Sequence, residues 1–71
     1  MQMKISARNV LAGTIRNVEM GAVNAQVTIE VAPGVTIVSI VTADSVKNLG
    51  LAVGKAAYAV IKASSVMVAV D

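Results

Sequence analysis

The 71-residue chain is 56% apolar yet has one Tyr, no Phe and no Trp, and six Lys/Arg against four Asp/Glu leave a formal charge of +2. With neither Cys nor His, disulfides, the common zinc sites and any Cys–His or Ser–His nucleophile system are excluded. A domain this small hides only roughly 60% of the surface its unfolded chain exposes, so 14 Val, 12 Ala and 6 Ile point to another subunit as cover.

The opening residues, Met1 to Lys4, lack an apolar signal core. Residues 10–18 then read as a long strand, with Gly13 as a possible bulge or bend, and Met20, Gly21 and Ala22 make the turn after it. In residues 23–31, Val23, Ala25, Val27, Ile29 and Val31 alternate with Asn24, Gln26, Thr28 and Glu30, which is the period of a half-buried strand. Pro33-Gly34 is a tight-turn pair. Residues 35–41 are apolar on both faces, so this third strand is expected to be covered on both sides.

One short helix is expected next. Thr42 can serve as its N-cap, Asp44 complements the dipole in its first turn, and Gly50 stops it. Val46 and Leu49, three apart, are expected to face the interior. Gly54-Lys55 turns the chain into a fourth strand at residues 56–62, which places Tyr58 in the core, and residues 66–70 read as a fifth. The order predicts an all-β protein with one short helix: an OB-like five-stranded antiparallel barrel in one domain spanning residues 1–71. The longest uncharged run, residues 31–43, is too short to span a bilayer. The expectation is a cytoplasmic protein without membrane contact.

Three polar clusters lie at element boundaries: Ser6-Ala7-Arg8-Asn9, Thr42-Ala43-Asp44-Ser45 and Lys62-Ala63-Ser64-Ser65. Together they offer a guanidinium, an ammonium, hydroxyls and backbone N–H groups. Such a set suits an oxyanion held by charge-assisted hydrogen bonds. Each cluster also has an ordinary explanation. Arg8 reads as a solvated charge, Lys62 as a snorkelling strand end, Thr42 and Ser45 as helix caps, and Ser64-Ser65 as a turn pair. The four carboxylates, Glu19, Glu30, Asp44 and Asp71, are too scattered for a dedicated calcium or magnesium cage.

The run Ile5-Ser-Ala-Arg-Asn9, followed by Leu11-Ala-Gly-Thr14, resembles the opening of the molbindins, single-module molybdate-binding proteins of the TOBE (Mop-type) class. The similarity continues through residues 40–45, Leu49-Gly-Leu51 and residues 59–66, covering nearly the whole chain in order. The resemblance implies an OB-like barrel and a hexamer, a trimer of dimers, with molybdate at subunit interfaces and tungstate as a close substitute. By the same resemblance Ser6, Ala7 (through its backbone) and Arg8 come from one subunit. Thr42, Ser45, Lys62, Ala63 and Ser64 line the rest, some from a neighbouring chain, and Asn9 has a structural role. Arg8 and Lys62 would balance the two charges of the anion, and Asp44 is expected to point away or cap the helix. A second class of site, built from backbone donors, has residues 21–24 as its candidate.

The expected function is therefore molybdate binding, storage and homeostasis, with no metal cation, no organic cofactor and no catalysis. A structural or effector-sensing oligomerisation module is the alternative. An OB-type nucleic-acid binder ranks lower, because such proteins stack bases on several exposed aromatic side chains and this chain has one Tyr.

Overall fold

A computed structural model describes residues 5–71; the reading of Met1 to Lys4 lies outside them. In chain order the elements are β1 (Asn9–Met20), β2 (Asn24–Ala32), β3 (Val35–Thr42), helix α1 (Ala43–Leu49), β4 (Ala56–Ile61) and a 3-10 turn (Ala63–Ser65). The strands form one antiparallel sheet in the order β3-β2-β1-β4.

The curl of this sheet originates in β1. Its first half, from Asn9 to Thr14, pairs with β4, and its second half, from Thr14 to Met20, pairs with β2. At the handover Ile15 donates its N–H to the Lys55 carbonyl (2.9 Å) and accepts from the Gly54 N–H (2.8 Å). The register slips between Ile15 and Asn17, so Arg16 is the extra residue of a bulge that sharpens the bend. Gly13 is not the bulge. It lets two backbones touch: a Cβ there would sit 2.5 Å from the Glu30 carbonyl oxygen and 2.8 Å from Ile29 Cγ2. The result is a curled half-barrel whose concave side holds Ile15, Ala25, Val27, Ile29, Val46 and Ala59.

Local signals agree with these elements. Ala25, Val27 and Ile29 are buried while their polar neighbours on β2 are partly exposed, as strand alternation requires. Pro33 and Gly34 separate the paired residues Ala32 and Val35, and Gly34 has φ +74°, a value that favours glycine. Helix α1 closes on Gly50 at φ +64°; the Gly50 N–H bonds the Lys47 carbonyl and the Leu51 N–H bonds the Val46 carbonyl. That pair of bonds is a Schellman closure. Lys55 Nζ then donates to the Gly50 carbonyl at 3.0 Å.

Three expectations are corrected. The fifth strand is not formed within the chain: residues 66–71 pair with no strand, and Met67, Val68 and Val70 are 93%, 89% and 91% exposed. A strand exists only where an edge accepts its hydrogen bonds, and within this chain these residues meet none. Leu49 does not face the interior but is largely exposed, because the short helix buries Ala43 and Val46 instead. Tyr58 is half exposed, since β4 turns its small residues, Ala57 and Ala59, toward the core.

On the convex side Arg16 bridges to Glu30 at 2.9 Å across the bulge, with the Glu30 side chain 28% exposed. The Arg16 hydrogen bond, a second from the Gly34 N–H and the Arg16 charge hold the Glu30 carboxyl below its ordinary pKa. Because the folded value is the lower one, this contribution to stability is complete above the ordinary Glu range. It is lost as pH falls through the lowered value. Glu30→Gln should flatten the acid limb of the stability–pH profile measured by urea unfolding; an unchanged limb contradicts the assignment. Gly13→Ala should lower unfolding stability by about 1–3 kcal/mol, because backbone rather than a flexible side chain blocks the new methyl. Chemical denaturation reads this directly.

Candidate functional site

The β1–β4 ladder sets the geometry. Its register pairs Asn9 with Ile61 and Val10 with Val60. Continued outward by count, it would set Arg8 opposite Lys62, Ala7 opposite Ala63 and Ser6 opposite Ser64. The two segments, Ser-Ala-Arg on one side and Lys-Ala-Ser on the other, mirror each other across the end of the ladder. They do not stay paired. The chain bends at Ser6 and Arg8, while Ala63–Ser65 coils into a 3-10 turn in which Ser65 N–H bonds the Lys62 carbonyl and Val66 N–H the Ala63 carbonyl. The splayed ends enclose an open cleft of about 560 Å³ lined by Ile5, Ser6, Ala7, Arg8, Val60, Lys62, Ala63 and Ser64.

Both charged groups on this wall are cations. Among the described residues the one ion pair is Arg16–Glu30, so no carboxylate neutralises Arg8 or Lys62. Two like charges lining one cleft repel, and an anion between them relieves that repulsion. The two apolar members, Ile5 and Val60, give no polar signal in the sequence; Val60 is recoverable only from the register, as the partner of Val10.

Six of the eight expected binding residues thus line one cleft, and Thr42 and Ser45 do not. Thr42 pairs with Asn24 at the far end of the sheet, near the Met20 end of β1, whereas Arg8 precedes the opposite end of that strand. Within α1 the two side chains serve each other. Thr42 Oγ1 accepts from the Ser45 backbone N–H at 3.0 Å and donates to Ser45 Oγ at 2.8 Å. Thr42 is therefore the N-cap, as its position suggests. Asp44, in the first turn, is exposed and does not line the cleft. Asn9 is the first residue of β1. In the turn at residues 21–24, the Gly21 N–H is bonded to the Asn24 carbonyl and the Val23 carbonyl accepts from Ala43, leaving the N–H groups of Ala22 and Val23 outside these bonds.

Elsewhere a cleft of about 180 Å³ lies between β3 and β4, and another of about 140 Å³ is apolar apart from Ser39 and Tyr58. No group of three or more metal-ligating side chains occurs among the described residues. No helix among them is long and apolar enough to cross a membrane.

Comparison with known proteins places these features in context. The TOBE domain family model matches residues 5–68. A Haemophilus influenzae protein named "Probable molybdenum-pterin-binding protein" is 54% identical over 69 residues, which cover 97% of this chain and 100% of that protein. The structure of MopII from Clostridium pasteurianum superposes with a TM-score of 0.88 at 42% identity, covering 94% of this chain and 100% of that one. The cytoplasmic molybdate-binding protein ModG, in a form with molybdate bound, gives a TM-score of 0.82 at 51% identity; the match covers 86% of this chain and 43% of the ModG chain.

The capping bonds carry their own test. Thr42→Val removes the acceptor for Ser45 N–H and should lower stability by about 1 kcal/mol, whereas Thr42→Ser should restore most of it. Urea unfolding of the two variants separates capping from bulk effects of the substitution.

Proposed function

The chain belongs to the TOBE domain family, and from that premise we propose that it binds molybdate in the cleft between residues 6–8 and 62–64. The observation that carries the reading is that Arg8 and Lys62, neither of them in an ion pair, line one cleft together with Ser6 and Ser64. A tetrahedral dianion matches two cations in charge, and hydroxyl and amide donors suit its remaining lone pairs. In this reading Arg8 and Lys62 supply charge, Ser6 and Ser64 supply hydroxyls, and Ala7 and Ala63 supply backbone N–H groups. Tungstate, close to molybdate in size and charge, binds similarly.

The proposal includes assembly. Thr42 caps α1 at the far end of the sheet from the cleft, and in this reading Thr42 and Ser45 of a second copy reach the anion. The surface supports such contacts: β3 presents Val38 and Ile40 outward, and the final segment exposes Met67, Val68 and Val70. We read the assembly as a hexamer, a trimer of dimers, acting in the cytoplasm as a store and buffer for the oxyanion, with neither nucleic acid nor catalysis involved. A site shared between subunits couples occupancy to assembly, because a ligand that binds only the assembled form stabilises it.

Calorimetric titration with molybdate should give micromolar or tighter binding and a bound anion held by an oligomer in native mass spectrometry. Each charge-assisted contact is worth about 1.5–3 kcal/mol, so Arg8→Ala alone should weaken binding by about ten-fold or more. The double variant Arg8→Ala/Lys62→Ala should abolish it with subunit number unchanged. A folded oligomer that takes up no molybdate overturns the proposal.

A further inference from the structure

Resting on the assembly proposed above, we infer that residues 66–70 are a donated strand, which fills the open seam between β3 and β4 of a second copy. β3 and β4 are the outer strands of the sheet, so each has one backbone edge without a partner strand. Both strands line one cleft of about 180 Å³, with Val38 and Ser39 contributed by β3 and Tyr58 and Val60 by β4. Free edges in natural sheets are ordinarily guarded by charge or proline. Here neither β3 nor β4 contains a charged residue or a proline, while the inner strands hold Arg16, Glu19 and Glu30. That is the reverse of a guarded sheet, and it marks the outer edges as covered ones.

The chain itself carries a segment suited to the cover. Val66, Val68 and Val70 alternate with Met67 and Ala69, an uncharged run with the two-residue period of a strand. Val66 is already extended, at φ −91° and ψ 120°. Yet Met67, Val68 and Val70 are almost wholly exposed, and the segment pairs with no strand of its own subunit. One copy therefore has two open edges and a spare strand that leaves them open. A second copy has the same, and a two-fold pair satisfies both at once, because each donates what the other lacks. The chemistry is strand addition in both directions, with backbone hydrogen bonds for affinity and alternate side chains for fit. The donated segment starts directly after the Ala63–Ser65 turn, so Lys62, Ala63 and Ser64 stand where the chain passes from one copy to the next. The anion cleft then lies at a subunit boundary because part of its own wall is the hinge of the exchange.

The absence of Cys from the sequence makes a clean test. Val38 and Val68 are both exposed in the single subunit. The double variant Val38→Cys/Val68→Cys is treated, as the native oligomer, with a short bis-maleimide linker and separated on a denaturing gel. A two-chain band should contain the linked peptide that joins positions 38 and 68. A 38–68 link inside one chain, or no such link, overturns the inference. A second variant reads the backbone: Val68→Pro removes a ladder N–H from a segment that the single subunit leaves unpaired. Its subunit number in native mass spectrometry should fall with most of the strand signal in circular dichroism retained. Val68→Thr, which keeps the N–H and the branched shape, should assemble as the wild type does. An unchanged subunit number in the proline variant overturns the inference. Wild-type protein that is a monomer overturns the assembly reading and the exchange with it, whereas an oligomer without the 38–68 link overturns the exchange alone.

Discussion

The structure depends on the exchange of partners that β1 makes at Thr14 and Ile15. A strand that leaves one neighbour for another must bend, and the bend must sit where the backbone groups it frees are met. Ile15 meets that condition twice over: its N–H and carbonyl are both bonded to the Gly54-Lys55 turn, and its side chain is fully buried at the centre of the core. The bulge at Arg16 adds twist immediately after, and the bare Cα of Gly13 lets the Glu30 carbonyl come close just before. Three consecutive features of β1 thus convert a flat ladder into a half-barrel. Buried apolar groups then stabilise the curvature that hydrogen bonding permits.

The cleft inherits its geometry from the same strand. Because β1 is long enough to pair with β4 before it turns to β2, one unbroken register runs out to Asn9 and Ile61 and places the two cationic segments opposite each other. The ladder ends there, and the 3-10 turn pulls residues 63–65 away, which opens space between chains that would otherwise have continued as paired strands. Register therefore decides which side chains face each other, and the loss of register makes room between them. The handover at Ile15 also explains why Thr42 and Ser45 lie elsewhere: they belong to the end of the sheet organised by the second half of β1.

Much of this was legible in the sequence where the signal is local. Alternation in β2, the Pro33-Gly34 turn, the Thr42 cap and the Gly50 stop each depend on a few adjacent residues, and each is found as read. Six of the eight residues that line the cleft were legible as two separate polar clusters, and nothing in either cluster states that they share one cleft. That fact belongs to the strand pairing. The misreadings share a cause. Residues 66–70 have strand composition, but a strand is a relation to an edge. Tyr58 is the largest side chain of its segment, yet the alternation of β4 turns Ala57, Ala59 and Ile61 inward and Tyr58 outward. Gly13 looked like the bulge because glycine permits one; the slip falls instead at Arg16, whose side chain can reach Glu30 from the displaced position.

The aliphatic excess and the cleft are best understood together. A fold that buries only Ile15, Val27, Ile29, Val46 and three alanines leaves Val38, Ile40 and the last valines facing solvent. Such surface lowers the solubility of a free subunit and raises the stability of an assembly that covers it. The two cations of the cleft act in the opposite direction if the cleft lies at a subunit boundary, as proposed, since bringing more positive charge there is unfavourable until an anion arrives. On the proposed reading the two tendencies meet at one place. Apolar contact holds the copies together whether or not ligand is present, and the anion removes the remaining electrostatic opposition. The ligand then stabilises the assembly without being required to form it, which is the behaviour a reversible store needs: a site that persists when empty and tightens when filled.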